Sequence, residues 1–583
     1  MCSIIGYLGN IGASQMLVKG LKRMEYRGYD SVGIATSHDK HIEVRKGVGK
    51  VTEVDTSQKL QTLVGNVGIG HTRWATHGVV NTVNAHPHTS SKGQIAIVHN
   101  GIIDNYGELK QTLEGLGYAF KSQTDSEAIS NLLQFSYDKT KDITRSMIET
   151  VAGLKGEYSF VAIFEGGILA AARFHEPLVV GLGKTGYFVS SDVLGFVEHT
   201  DEVIYPDNGE IVLIRPSGLQ FFDFSGNPTK HQITKVSKEF ADAYKGEYAH
   251  FTIKEINEQP KCVIKAGENN LNEIVDLLRG SKSVYLTGSG TSYHAALVAK
   301  HLFLKYGKIR LEPIISSESR FYPDYFDDQS LLIALSQSGE SADVLETVKI
   351  ARARGSKIVS IVNIMTSSLV QESSYSIGLN CGPEIGVAAT KSFTAQLSTL
   401  YKIASRLSSG ILSVNFSEIS ASMSETLLCQ DQIKEIAKEL TGASDIYVLG
   451  RGIHYPIALE AALKLKELTY MHAEGLPGGE LKHGPLALLD DKACVIVLNP
   501  TDSTYQDTLS SAHEIKARKA KVIGISDTKN EVYDQWIRIP RVGEPFFPLL
   551  EILPIQLLAY FAALERDADP DYPRHLAKSV TVK

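Results

Sequence analysis

The chain has 583 residues, enough for three or more domains with sizeable cores. Hydrophobic residues at 43% and charged ones at 21% describe an ordinary globular protein, neither disordered nor fibrous. Fifty-nine basic against sixty-six acidic residues leave a net charge of −7, and no Lys/Arg-rich block supplies a nucleic-acid surface. Five scattered cysteines, odd in number, argue against a disulfide framework and for a reducing cytoplasm. The N-terminus lacks a basic segment followed by an apolar one, so no signal peptide is expected. The most apolar stretch, 546–564, carries Pro548, Glu551, Pro554 and Gln556 and is expected as a buried core helix, not a membrane span.

Over residues 1–225, β-branched or aromatic runs at 4–8, 65–71, 95–99, 159–164, 187–191 and 210–214 predict strands. Helical periodicity appears at 12–24 and 125–136. This is an α+β pattern, with helices packed on sheets. Residues 226–261 turn polar and charged and are expected as a linker. Beyond them strand–helix alternation sets in and then repeats. Residues 284–293 align with 446–455, 331–335 with 494–498, and 353–361 with 517–525, at offsets of 162, 163 and 164. So long a period predicts a duplicated α/β domain (262–425 and 426–572), each copy a doubly wound parallel sheet. Sites in such sheets lie at the carboxyl ends of the strands. The tail, 573–583, mixes apolar and polar residues as a docked segment does.

The two copies differ where sites are expected. After the matching strand the first copy reads Ser336, Gln337, Ser338, Gly339, Glu340, Ser341, ahead of a helix predicted at 343–354; the second reads Asn499, Pro500, Thr501, Asp502. With Gly288, Ser289, Gly290, Thr291 and Ser292 from the preceding strand end, these donors suit a phosphate at a helix N-terminus. No Gly-Lys-Ser/Thr follows, and Tyr293 stands where a dinucleotide fingerprint needs its last glycine. A small sugar phosphate fits better than a nucleotide; the alternative is a pair of polar turns capping helices.

In the second copy Glu460, Lys464 and Glu467 share one face of a predicted helix. A carboxylate beside an ammonium can move protons between adjacent sugar carbons, although solvated pairs share this spacing. His483, in a turn, has the proton equilibrium that ring opening needs. Lys578 in the tail is a Schiff-base candidate if desolvated, and otherwise a solvated lysine. At the other end, removal of Met1 leaves Cys2 with its own α-amino group as base for the thiol. The competing reading is a small apolar residue at a strand start. His71, His77, His86 and His88 lack the accompanying ligands of a metal site, so no metal is expected.

In order along the chain, Tyr26–Ser31 (YRGYDS), His71–Gly78 (HTRWATHG), Asn84–His88 (NAHPH), His99–Tyr106 (HNGIIDNY) and Thr124–Glu127 (TDSE) resemble one family. The likeness continues through 254–260, 336–343, 384–388, 464–467, 480–485 and the tail from Leu576. That family is the glutamine–fructose-6-phosphate aminotransferases, isomerizing enzymes that make glucosamine 6-phosphate. The resemblance implies an Ntn-type class II glutaminase of sandwiched β-sheets with helices, followed by two sugar isomerase (SIS) domains and no cofactor. It implies Cys2 as nucleophile, Asn100 and Gly101 as oxyanion hole, and Trp74 as gate of an ammonia channel. Arg73, Thr76 and His77 are then expected on the glutamine carboxylate and Asp125 on its ammonium. Thr291, Ser292, Ser336, Gln337, Ser338 and Ser341 are expected on the sugar phosphate, with Val387 and Lys464 as further substrate contacts. Glu467 would shuttle the proton, Lys578 carry the imine, and His483 open the ring from the other subunit of a homodimer. Glutaminase action on behalf of another ketose phosphate, or a sugar-phosphate-sensing module, are the alternatives. Three positions depart from the family pattern: Ser3 for glycine, His575 for asparagine, and Ser341 for threonine.

Overall fold

A computed structural model describes residues 2–75, 78–236, 245 and 247–580. The chain forms two compact units, Met1–Ala243 with Ser579–Lys583, and Tyr244–Lys578.

The first unit is built on two antiparallel sheets. The eight-stranded sheet runs Thr234–Lys235, Glu202–Ile204, Val179–Gly183, Gly186–Ser190, Ser3–Gly9, Val67–Arg73, Ser31–His38, His41–Val48. The six-stranded sheet runs Gly218–Asp223, Glu210–Arg215, Ile168–Phe174, Gly156–Phe164, Ile95–Ile103, His88–Thr89. Strand Ile95–Ile103 shows why helices flank the sandwich. Ala96 and Val98 pack with Ile4, Ala35 and Ile69 between the sheets, while Ile95 and Ile97 meet Ile129, Leu133, Met147 and Val151. With period two, both faces of the strand are apolar and both must be covered. Helices Ser126–Thr140 and Ile143–Gly153 cover one face of this sheet, and helix Ala13–Met24 packs on the eight-stranded sheet.

Hairpin Ser31–His38/His41–Val48 is absent from the sequence reading. Its two-residue turn holds Asp39 and Lys40 at φ +49° and +61°, a conformation that Asn-Gly usually signals. The segment expected as a linker, 226–261, contains the division between the two units and also carries ordered elements. Thr234–Lys235 pairs with Glu202–Val203, and Phe251–Gly267 is a helix despite Pro260 inside it. The proline and the charged residues hid an apolar stripe of Ile253, Ile256, Val263 and Ala266, which is buried in the second unit.

The second unit holds two five-stranded parallel sheets with one topology. The first runs Leu311–Ile315, Ser283–Gly288, Ser330–Ser336, Lys357–Val362, Tyr375–Gly378. The other runs Ala473–Pro477, Ile446–Gly450, Cys494–Leu498, Lys521–Ser526, Gln535–Arg538. In both, the order is 2-1-3-4-5, the doubly wound arrangement that places sites at strand carboxyl ends. Helix Phe547–Glu565 has the length and apolarity of a membrane span, yet 89% of its most apolar window is buried within the protein.

Candidate active sites

In the first unit, Cys2 immediately precedes strand Ser3–Gly9, whose Ser3 pairs with Thr72. Its sulfur accepts the Trp74 N–H at 3.1 Å, and its carbonyl accepts from Arg27 Nε and Asn100 Nδ2, both at 3.2 Å. Burial pushes the thiol up; the Trp74 amide and the Arg73 guanidinium oppose that shift. Arg73 ends the neighbouring strand, and burial lowers its pKa against the pull of Cys2, Asp30 and Asp125, the guanidinium staying charged. Trp74 packs edge-on against Tyr29 at 6.0 Å.

Asn100 and Gly101 sit in strand Ile95–Ile103. Gly101 has φ +109°, and a Cβ there would lie 2.1 Å from the Glu157 carbonyl, so glycine is required. Asp125 precedes helix Ser126–Thr140, buried, and accepts the Ile103 N–H at 2.9 Å. Thr76 and His77 lie outside the described residues. Ser3 occupies extended backbone, fully buried, with its hydroxyl donating to Met24 O at 2.8 Å. The conformational freedom of glycine is not needed there.

In the second unit, helix Tyr455–Thr469 carries Glu460, Lys464 and Glu467. This face is not solvated. The Lys464 ammonium is fully buried, 3.3 Å from Glu460 and 2.5 Å from Glu467. Burial works against its charge, and the two carboxylates overcome that, raising its pKa above the ordinary lysine range. Glu460 also accepts from Thr291 Oγ1 at 3.0 Å and from His294 Nδ1 at 2.7 Å, so the second copy is pinned to the loop of the first. Thr291 therefore spends its hydroxyl proton on Glu460. Ser292 accepts from Gln396 at 2.9 Å, which leaves its own proton to donate. Ser336 accepts the Gly339 N–H at 2.9 Å, and Ser338 the Glu340 N–H at 3.2 Å. The Gln337 carbonyl accepts from Asn363 N, and Ser341 sits at the N-cap of helix Ala342–Ala353. Gly339 has φ +71° and a Cβ there would strike Ser367, so this turn also requires glycine.

Lys578 is not solvated either. Its ammonium donates to Glu384 at 2.6 Å and to Gly386 O at 2.7 Å, with the side chain 4% exposed. Burial alone would raise the Glu384 carboxyl; Lys578 and donors from Thr390 and Ser392 bring it down to about 2. The Val387 N–H donates to Asp571 O, tying the segment just ahead of the tail to this loop. His575 has φ +60°, a left-handed conformation that Asn and His tolerate better than most residues. His483 is exposed on turn Glu480–His483. The sequence reading assigned no role to Glu384 or His294; Glu384 lies in a quoted motif, but nothing in spacing reveals an ion pair formed across 194 residues. Among the described residues Asp207, Glu210 and His231 bring possible ligand atoms within 4.8 Å, but His231 and the Asp207 N–H already engage the Glu210 carboxylate.

The chain matches the glutamine amidotransferase domain over residues 71–197 and the SIS domain twice, over 277–406 and 439–566. It is 42% identical to a Pyrococcus horikoshii glutamine–fructose-6-phosphate aminotransferase (isomerizing), and 41% identical to its counterpart in Methanothermobacter thermautotrophicus. Each alignment covers 100% of both chains. Among solved structures, 56% of the chain matches the whole C-terminal domain of glucosamine-fructose-6-phosphate aminotransferase from Francisella tularensis, with TM-score 0.54 and 33% identity. The tagatose-6-phosphate ketose/aldose isomerase of Escherichia coli shares the fold, with TM-score 0.51 and 23% identity over 55% of this chain and 95% of that one. The chain belongs to the glutamine–fructose-6-phosphate aminotransferase (isomerizing) family.

Proposed function

We propose that the chain moves the amide nitrogen of glutamine to fructose 6-phosphate, giving glutamate and glucosamine 6-phosphate. The observation that carries this is the meeting of Thr291, Glu460 and the half-buried Glu467 around the buried Lys464, in a chain whose other unit holds the Cys2 thiol on the Trp74 amide.

In the first unit the Cys2 sulfur attacks the glutamine side-chain carbonyl, its proton going to the α-amino group freed by removal of Met1. Asn100 Nδ2 and the Gly101 N–H stabilise the oxyanion, whose charge exists only in the tetrahedral state. The C–N bond breaks, ammonia leaves, and water hydrolyses the thioester to glutamate. Arg73 and Asp125 hold the two ends of the amino acid. Trp74, whose backbone holds the thiol, would gate the departing ammonia.

In the second unit Ser292, Ser336, Gln337, Ser338 and Ser341 hold the phosphate, with Thr291, Lys464 and Val387 against the sugar. The Lys578 amine condenses with the C2 ketone, releasing water, and ammonia then displaces the lysine. Glu467, with one oxygen on Lys464, takes a proton from C1 and returns it to C2, leaving an aldehyde at C1 and an amine at C2. Exposed on its turn, His483 opens the sugar ring in a second copy of the chain, which makes the working unit a homodimer. All five cysteines are free thiols, which suits a reducing cytoplasm.

Cys2→Ala tests the division of labour. It is expected to abolish glutamine-dependent glucosamine 6-phosphate synthesis while fructose 6-phosphate is still isomerised. Glutamine-dependent synthesis persisting in Cys2→Ala would overturn the glutaminase assignment.

A further inference from the structure

An asparagine serves an oxyanion only if it presents Nδ2, not Oδ1. A primary amide turned by 180° fills the same space with the opposite hydrogen-bonding sense. His71, on strand Val67–Arg73, lies 2.9 Å from the His99 backbone carbonyl and 3.2 Å from Asn100 Oδ1, both through Nε2. The backbone carbonyl can only accept, so Nε2 carries the proton. A protonated Nε2 in turn requires an acceptor from Asn100, which puts Oδ1 on the histidine and Nδ2 on the Cys2 side, 3.2 Å from its carbonyl.

We propose that His71 is a positioning residue of the glutaminase, a one-proton donor that locks the Asn100 amide in the sense the oxyanion needs. The inference rests on the reading of Cys2 as nucleophile and deepens it. Three further observations support it. His71 is 1% exposed, and its buried Nδ1 has no hydrogen-bond partner among the described residues, so no acceptor among them draws the proton to that nitrogen. The ring packs on His86 at 4.1 Å, tilted by 33°, and His86 meets His88 edge-on at 4.6 Å, which restricts its plane. Burial lowers the His71 pKa to about 3 and holds His86 and His88 well below the ordinary range, so the donor stays neutral throughout the working pH range. Of the histidines weighed in sequence as metal ligands, His71, His86 and His88 thereby form a neutral support for one amide.

The test compares His71→Leu, which removes the donor, with His71→Gln, whose amide N–H restores one. In His71→Leu, kcat for glutamine hydrolysis is expected to fall about 10–100-fold, part of the ~10²–10³ that an oxyanion donor contributes. Its KM should stay within about threefold, because substrate has no oxyanion for the donor to meet. The aldehyde analogue of glutamine, which forms a tetrahedral adduct with the thiol, should weaken by the same factor as kcat, while glutamate affinity holds. His71→Gln should recover most of both losses. Equal loss of aldehyde and glutamate affinity, or no recovery in His71→Gln, would reduce His71 to a packing residue. Unchanged kcat in His71→Leu, with Cys2→Ala inactive, overturns the positioning role alone; an active Cys2→Ala overturns the parent reading. Fructose 6-phosphate isomerisation checks the fold of each variant. If His71→Leu does not fold, His71→Asn, whose shorter amide falls short of Asn100, replaces it against His71→Gln.

Discussion

The two SIS copies share one strand order and part company at the same two strand ends. In the first copy, Ser336–Ser341 leads into helix Ala342–Ala353 with hydroxyls and backbone N–H groups, and Ser292 lies in the first turn of helix Thr291–Leu302. In the second, the residue matching Ser292 is His454, fully buried between Asp502 at 2.8 Å and Glu551 at 2.9 Å. Asp502 also accepts the Thr504 N–H at 2.7 Å, at the start of helix Tyr505–Lys516. A carboxylate of the chain itself thus sits at the helix N-terminus where an external anion would be drawn. The duplicated frame is common to both copies; the second places a carboxylate of its own at the helix N-terminus, and the first lines that position with serines.

Breaking the internal anion site should have the largest effect on stability. His454→Asn leaves two buried carboxylates without their cation, so unfolding of the second unit is expected to ease by about 3–5 kcal/mol. Burial opposes the charge of His454, yet Glu551 and Asp502 raise it to about 10. A folded pKa above the ordinary ~6.5 means the stabilisation is complete below that pH and lost as pH rises through about 10. Denaturant unfolding at pH 6 and pH 10 should show a steep loss in the wild type and a flatter one in His454→Asn. Parallel pH profiles would count against an internal ion triad. The smallest effect is expected in the first unit, at Ser3→Gly. Loss of the bond to Met24 should cost about 1 kcal/mol with glutamine turnover unchanged; improved turnover would mean the serine does hinder the nucleophile.

Much of this was legible because period and repetition survive in sequence. Strands such as Ser330–Ser336 and Cys494–Leu498 are continuous apolar runs, and the repeat between copies marks the strand ends as the place to look. Hairpin Ser31–Val48 was not legible, since Asp39-Lys40 carries no glycine to announce its turn. Helix Phe251–Gly267 was hidden by Pro260. Whether Lys464 and Lys578 are solvated stays open in the sequence for a different reason. Spacing places a charge on a face, but whether that face is wet depends on carboxylates distant in sequence, such as Glu384 for Lys578. The tautomer of His71 depends likewise on the carbonyl of His99, which no local pattern reveals.

The contrast between the copies is tested most directly by calorimetric titration with fructose 6-phosphate. One sugar phosphate is expected per chain, weakened at least about tenfold by Ser336→Ala with Ser341→Ala, as loss of two hydrogen bonds to a charged group requires. Thr501→Ala with Ser503→Ala, in the second copy, should leave affinity within about twofold, since both hydroxyls already serve internal carboxylates, Asp527 and Glu544. Two sugar phosphates per chain, or binding that follows the second-copy pair and ignores the first, would contradict the account.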